Sequence, residues 1–215
     1  MFLGALVLLG LLIFVLVKPN EPSYAGHTLS YWLNAPASAE QPDEAVRALQ
    51  AIGTNAIPTL LRWINYEPTP WKMKLASVPI VYRHGWARTL RNGPGSARAI
   101  KAFALLSTNL TPAIPELVKL MKDRTRPRTA VAATYALGCL GQSALPYLAQ
   151  ALSDTNQPNR GDIISSICST RFYGAPTGEC IIAIMKATTD TDARVRLYAT
   201  NAIRDLSQEP STTKF

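Results

Sequence analysis

Two histidines, His27 and His84, are the only side chains whose ordinary titration falls near neutral pH. Acid–base work by either would need a carboxylate beside it, and none stands close to either along the chain. Both read as surface or capping residues. Cys139, Cys168 and Cys180 fit neither a CxxC nor a mixed Cys/His metal spacing. They read as small buried hydrophobes, with a Cys168–Cys180 bridge across a helical hairpin as the alternative in an exported domain. Asn92-Gly93-Pro94-Gly95 is a turn and not a phosphate cradle, because Pro interrupts the run of amides. Asp43-Glu44 and Asp190–Asp192 stand where helix N-termini favour negative charge, and a calcium loop would need more oxygen ligands in phase. Trp32, Trp63, Trp71 and Trp86 read as packing residues near the first repeat, with a base-stacking platform as the alternative. No catalytic residue, metal ligand or cofactor site emerges, and the chain reads as non-enzymatic.

What must position these residues is helical. Of 215 residues 47% are apolar, strand-type alternation is hard to find, and Ala- and Leu-rich stretches recur at helical spacing. The net charge of +8 is unevenly spread. Between Arg62 and Arg128 stand 13 basic and three acidic residues, a net +10 that leaves −2 for the rest. Such a segment suits an acidic protein, a phosphate backbone or an anionic lipid surface, or simply solubilises the chain.

Phe2–Val17 (FLGALVLLGLLIFVLV) is a run of 16 apolar residues ended by Lys18, Pro19 and Asn20. It shows no polar face, as a globular core helix would. Its length lies between a signal-peptide core and a comfortable membrane span. An uncleaved single-pass anchor through residues 2–17 is the expectation, with the domain extracytoplasmic. The alternative is cleavage near Ala25, after Ser23-Tyr24-Ala25, giving a secreted or periplasmic domain.

Three hexapeptides organise the rest: GTNAIP at 53–58, LTPAIP at 110–115 and GQSALP at 141–146. With each final Pro as zero, position −13 holds Ala45, Ala102 and Ala133, position −10 holds Ala48, Leu105 and Ala136, and position −9 holds Leu49, Leu106 and Leu137. That is one stripe of a helix. Positions −1, +2, +3 and +6 give a second: Ile57, Leu60, Leu61, Ile64; Ile114, Leu117, Val118, Met121; Leu145, Leu148, Ala149, Leu152. Gly53 and Gly141 stop the first helix, Asn55 and Ser143 are placed to cap the second, and Pro58 and Pro146 fall in its first turn. In the middle unit Thr111-Pro112 takes those roles. Ala199, Ala202, Ile203 and Leu206 repeat the first stripe two periods of 33 after Ala133, which predicts a degenerate unit with helices near 162–170 and 179–188. Each unit is a helix pair with no core of its own, so it must stack on its neighbours, and no β-sheet is expected.

These Ala, Leu, Gly and A-h-P positions resemble HEAT repeats of the kind in bacterial HEAT-repeat domain-containing proteins. Gly26-His27-Thr28-Leu29-Ser30-Tyr31-Trp32-Leu33 resembles the G-x-x-L-S-x-W-L lead-in that precedes such arrays. The resemblance covers residues 24–207. It implies an all-α, short right-handed α-solenoid, and a scaffold for macromolecular contact without a catalytic set. The expected organisation is an anchor or signal at 1–20, a linker and capping helix at 21–42, a solenoid at 43–207 with a basic helical insert near 68–92, and a tail at 208–215.

On the second helices, position +4 carries Arg62, Lys119 and Gln150, position +1 carries Thr59, Glu116 and Tyr147, and position +7 carries Asn65, Lys122 and Ser153. These lie off the apolar stripe, on the face that stacked second helices present as a groove. Lys122–Arg128 adds a basic loop. The candidate binding residues are Arg62, Lys119, Lys122, Arg124 and Arg126. The expected function is a membrane-tethered scaffold for a protein partner, an acidic one where these residues grip it. A nucleic-acid binder in the manner of the HEAT-like DNA glycosylases is the alternative. An enzyme resembling the HEAT-like bilin lyases finds no residue support.

Overall fold

The computed structural model describes residues 21–34, 42–79, 95–169 and 176–207. The anchor expected at 2–17, His84, Trp86, most of the 68–92 insert and the 208–215 tail lie outside the described residues. No described helix is long and apolar enough to cross a membrane.

The described chain is almost wholly helical. It opens on a short hairpin, which the expectation of no sheet missed. β1 (Ser23–Tyr24) pairs antiparallel with β2 (His27–Thr28) around Ala25-Gly26. Both turn residues have positive φ, 49° and 79°, the backbone of a type I′ turn whose twist matches its strands. Helices follow: α1 (Leu29–Asn34), α2 (Pro42–Ile52), α3 (Ile57–Ile64), α4 (Pro70–Ala76), α5 (Ser96–Leu106), α6 (Ile114–Met121), α7 (Pro127–Cys139), α8 (Leu145–Ser153), α9 (Arg160–Ser169), α10 (Gly178–Ala187) and α11 (Ala193–Ser207). Helices α9 and α10 lie where the degenerate unit is expected, near 162–170 and 179–188.

Helix pairs turn near Gly53, Leu110 and Gly141, as the hexapeptides require. Gly53 and Gly141 take φ of 47° and 63°, which a Cβ disfavours. The caps differ from expectation. Asn55 and Ser143 do not cap: they lie within 3₁₀ turns, Gly53–Ala56 and Gly141–Ser143, and Ala56 and Ala144 stand at the N-caps with no side-chain hydrogen bond. In the middle unit Thr111 and Pro112 lie in a 3₁₀ helix over Ser107–Ala113, and Pro115 occupies the first turn of α6, as Pro58 and Pro146 do in α3 and α8. A tightened 3₁₀ turn pairs the orphan backbone groups locally, so no capping side chain is needed.

The first helices pack in succession, α5 on α7, α7 on α9 and α9 on α11, while α8 packs on α10 and α6 on α7. One continuous apolar core runs from Leu29 to Ala202. Both expected stripes are buried or half-buried with one exception: Leu105 is 54% exposed, and Phe103 is buried in its unit instead. The second stripe is wider than expected. Position +5, held by Trp63, Leu120 and Ala151, is buried in all three units.

Candidate binding surface

The five candidate basic residues are not equivalent. Arg62 on α3, and Lys119 and Lys122 on and just after α6, have exposed side chains. Lys119 lies 4.0 Å from Glu116, with both side chains more than half exposed, so that pair adds little stability. Arg124, in the α6–α7 loop, stands 3.7 Å from Asp154 just after α8, also largely in solvent. Thr59, expected on this surface, is buried, because it stands one turn before buried Trp63.

Arg126 does a different job. Its Nε and Nη2 donate to Asp123 Oδ2 at 2.7 and 2.5 Å, and Nη1 donates to Asn65 Oδ1. Asp123 Oδ1 accepts from the Thr125 amide and hydroxyl at 2.9 and 2.5 Å. The Thr125 hydroxyl first, then the Arg126 guanidinium and the Thr125 amide, hold the Asp123 carboxyl down at about 2. Two residues beyond Asn65, Glu67 Oε1 accepts from the Thr129 amide at 3.0 Å, in the first turn of α7. Arg126 and Glu67 therefore fasten the segment after α3 to the start of α7. A carboxylate 62 residues away serves a helix start that carries no side-chain cap of its own.

Beside this junction lies a pocket of about 460 Å³ that sequence reasoning missed. Ile64, Ile100, Val131 and Ala132 form its apolar floor, and Tyr66, Ser96, Arg128 and Tyr135 its polar rim. Its walls come from α3, α5 and α7, so no local spacing announces it. The Tyr135 hydroxyl donates to Asp162 Oδ1 at 3.1 Å, tying α7 to α9. Burial, then the Asp162 charge, raises its pKa.

His27 stacks on Tyr31, rings 4.0 Å apart. None of Cys139, Cys168 and Cys180 is in a disulfide, so the considered Cys168–Cys180 bridge is not formed. Burial pushes the Cys139 thiol up to about 11. Trp32 and Trp63 are buried, while Trp71 is 61% exposed. Asp192 accepts from the Arg194 amide at 2.8 Å at the start of α11, as expected of a helix N-terminal carboxylate. Asp190 instead pairs with Arg160. Among the described residues no cluster of three or more His, Cys, Asp or Glu could hold a metal ion.

Among the described residues the fold is mostly helical, with one short hairpin. No family model matches the chain, and no curated protein or solved structure matches it.

Proposed function

We propose that the chain is a short α-solenoid of HEAT type, tethered to a membrane through residues 2–17, that binds a protein partner without catalysis. The observation that carries this reading is the meeting of a basic loop with an apolar pocket. Lys122–Arg126 leads directly into Pro127 and Arg128, which line the pocket. A partner segment presenting an acidic residue beside an aliphatic or aromatic one fits both features. Arg62, Lys119 and Lys122 supply the outer charge, while Arg126 holds the loop in shape. The hairpin supports an uncleaved N-terminus, because cleavage after Ala25 would sever β1 from β2.

The test is affinity capture from detergent-solubilised membranes with three baits. A specific partner is held by the native chain and lost with Lys119→Glu plus Lys122→Glu, or with Val131→Trp, which fills the pocket. A partner set unchanged by both variants defeats the proposal. The nucleic-acid alternative rests on the +10 segment. It predicts binding of labelled duplex or single-stranded DNA whose log affinity falls linearly with log salt. No binding at low salt removes it.

A further inference from the structure

We infer that the N-terminal hairpin cap is a membrane-contact foot that sits on the bilayer surface through Tyr24, His27 and Tyr31. The inference rests on the tether reading of residues 2–17 and adds what the folded domain does at the membrane.

The point where the chain joins the domain is fixed firmly. Glu21 accepts from the Ser30 amide at 3.1 Å through one carboxylate oxygen and from the Ser30 hydroxyl at 3.0 Å through the other. The Leu29 amide donates to the Pro22 carbonyl at 2.9 Å, and Trp32 Nε1 donates to the Tyr24 carbonyl at 3.2 Å. Residue 21 is thus part of the domain. Only Lys18, Pro19 and Asn20 separate it from the apolar run, and the four steps from Val17 to Glu21 reach at most about 14 Å.

The run is also short. Sixteen residues rise about 24 Å as a helix, against a hydrocarbon thickness of about 30 Å. A short span draws its flanking residues toward the headgroups. The first surface that meets the bilayer is then the hairpin and α1. That surface is aromatic. Tyr31 stacks on His27 with ring planes 14° apart and meets Trp32 edge-on at 5.1 Å, and Tyr24 meets Trp32 edge-on at 6.5 Å. Trp32 is buried beneath, while Tyr24 and Tyr31 are 42% and 51% exposed. Amphipathic rings with polar tips partition to the headgroup level of a bilayer. The hydrogen bonds to Glu21 and Tyr24 keep these rings at a set place relative to the tether, so the foot also orients the domain.

The experiment uses the full chain in vesicles of phosphatidylcholine with one quarter phosphatidylglycerol, with and without lipids brominated near the headgroup. Tyr31→Trp, and Tyr24→Trp as a second reporter, each add tryptophan emission. Leu197→Trp, at a 60% exposed position on the last helix, is the comparison. The foot predicts that brominated lipid removes most of the emission added at position 31 or 24 and none of that added at 197. Equal quenching at all three positions overturns it. Alkaline carbonate extraction reads the tether separately. A chain that resists extraction but shows no quenching at 24 or 31 keeps the tether and loses the foot. A chain that is quenched there yet extracted keeps the foot and loses the tether. A chain that never associates with the vesicles loses both.

Discussion

Arg126 grips one oxygen of Asp123 through both Nε and Nη2, while the other oxygen takes the amide and hydroxyl of Thr125. This closed loop has a pH signature. The Asp123 carboxyl sits at about 2 in the folded chain, below its ordinary 3.8. A folded pKa below the unfolded one stabilises the protein fully above the unfolded value, and that contribution is lost as pH falls through the folded value. The melting temperature should therefore drop between pH 4 and pH 2, and drop less in Asp123→Ala than in the native chain. Parallel curves for the two proteins, followed by circular dichroism, would show that the carboxylate is not held this way. Arg126→Glu is a poor probe of partner binding for the same reason, because it breaks the loop. The solvated Lys119 and Lys122 are the better choice.

Leu137 is fully buried in α7, and Leu105 on α5 is more than half exposed, although the repeat assigns both to one stripe. Leu137→Ala should cost about 2–5 kcal/mol, as buried leucine truncations do. Leu105→Ala should stay within about 0.5 kcal/mol, as surface changes away from special features do. Chemical denaturation of the two variants decides the point. Equal losses would put Leu105 in a core.

That contrast shows what was legible in the sequence. The helix pairs and their turns were, because Ala and Leu recur with helical period and Gly53 and Gly141 stand where only a positive φ continues the chain. Register aligns positions within units, but it does not say which helix stands opposite. Leu105 and Thr59 were misplaced for that reason, and Trp63, Leu120 and Ala151 were left out of the second stripe. The Arg126–Asn65 and Glu67–Thr129 bonds join residues 61 and 62 apart, so no local pattern carries them. The pocket draws on three helices and was equally hidden.

Gly95, just before α5, is fixed by space and not by backbone angle. Its φ is an ordinary −143°, but a Cβ built there would lie 2.2 Å from Trp63 Cγ and 2.5 Å from Trp63 Cβ. Trp63 is buried and cannot swing aside. Gly95→Ala should cost about 1–3 kcal/mol through backbone displacement. Pairing it with Trp63→Ala, which removes the Cγ and Cδ1 atoms in the way, should recover part of that loss relative to Trp63→Ala alone, and thermal unfolding of the four proteins measures the coupling. Strict additivity would mean the two residues do not touch.

Arg160 and Asp190 form an ion pair whose side chains are 8% and 9% exposed, joining the start of α9 to the loop before α11. Burial works to raise the Asp190 pKa, but the Asp192 amide and the Arg160 guanidinium outweigh it and hold the carboxyl below its usual range. Arg160 Nε is buried with no hydrogen-bond partner, so the guanidinium depends on this carboxylate. Removing one member of a buried pair leaves an uncompensated charge, and Asp190→Ala should cost about 3–5 kcal/mol. Replacing both, as Arg160→Met with Asp190→Leu, removes the charge together with its partner and should bring stability back close to the native value. Urea unfolding reads both variants, and an unchanged slope against denaturant would confirm that the native and unfolded states are otherwise alike. A loss below about 1 kcal/mol for Asp190→Ala would place the pair in the solvated class, where such contacts contribute little.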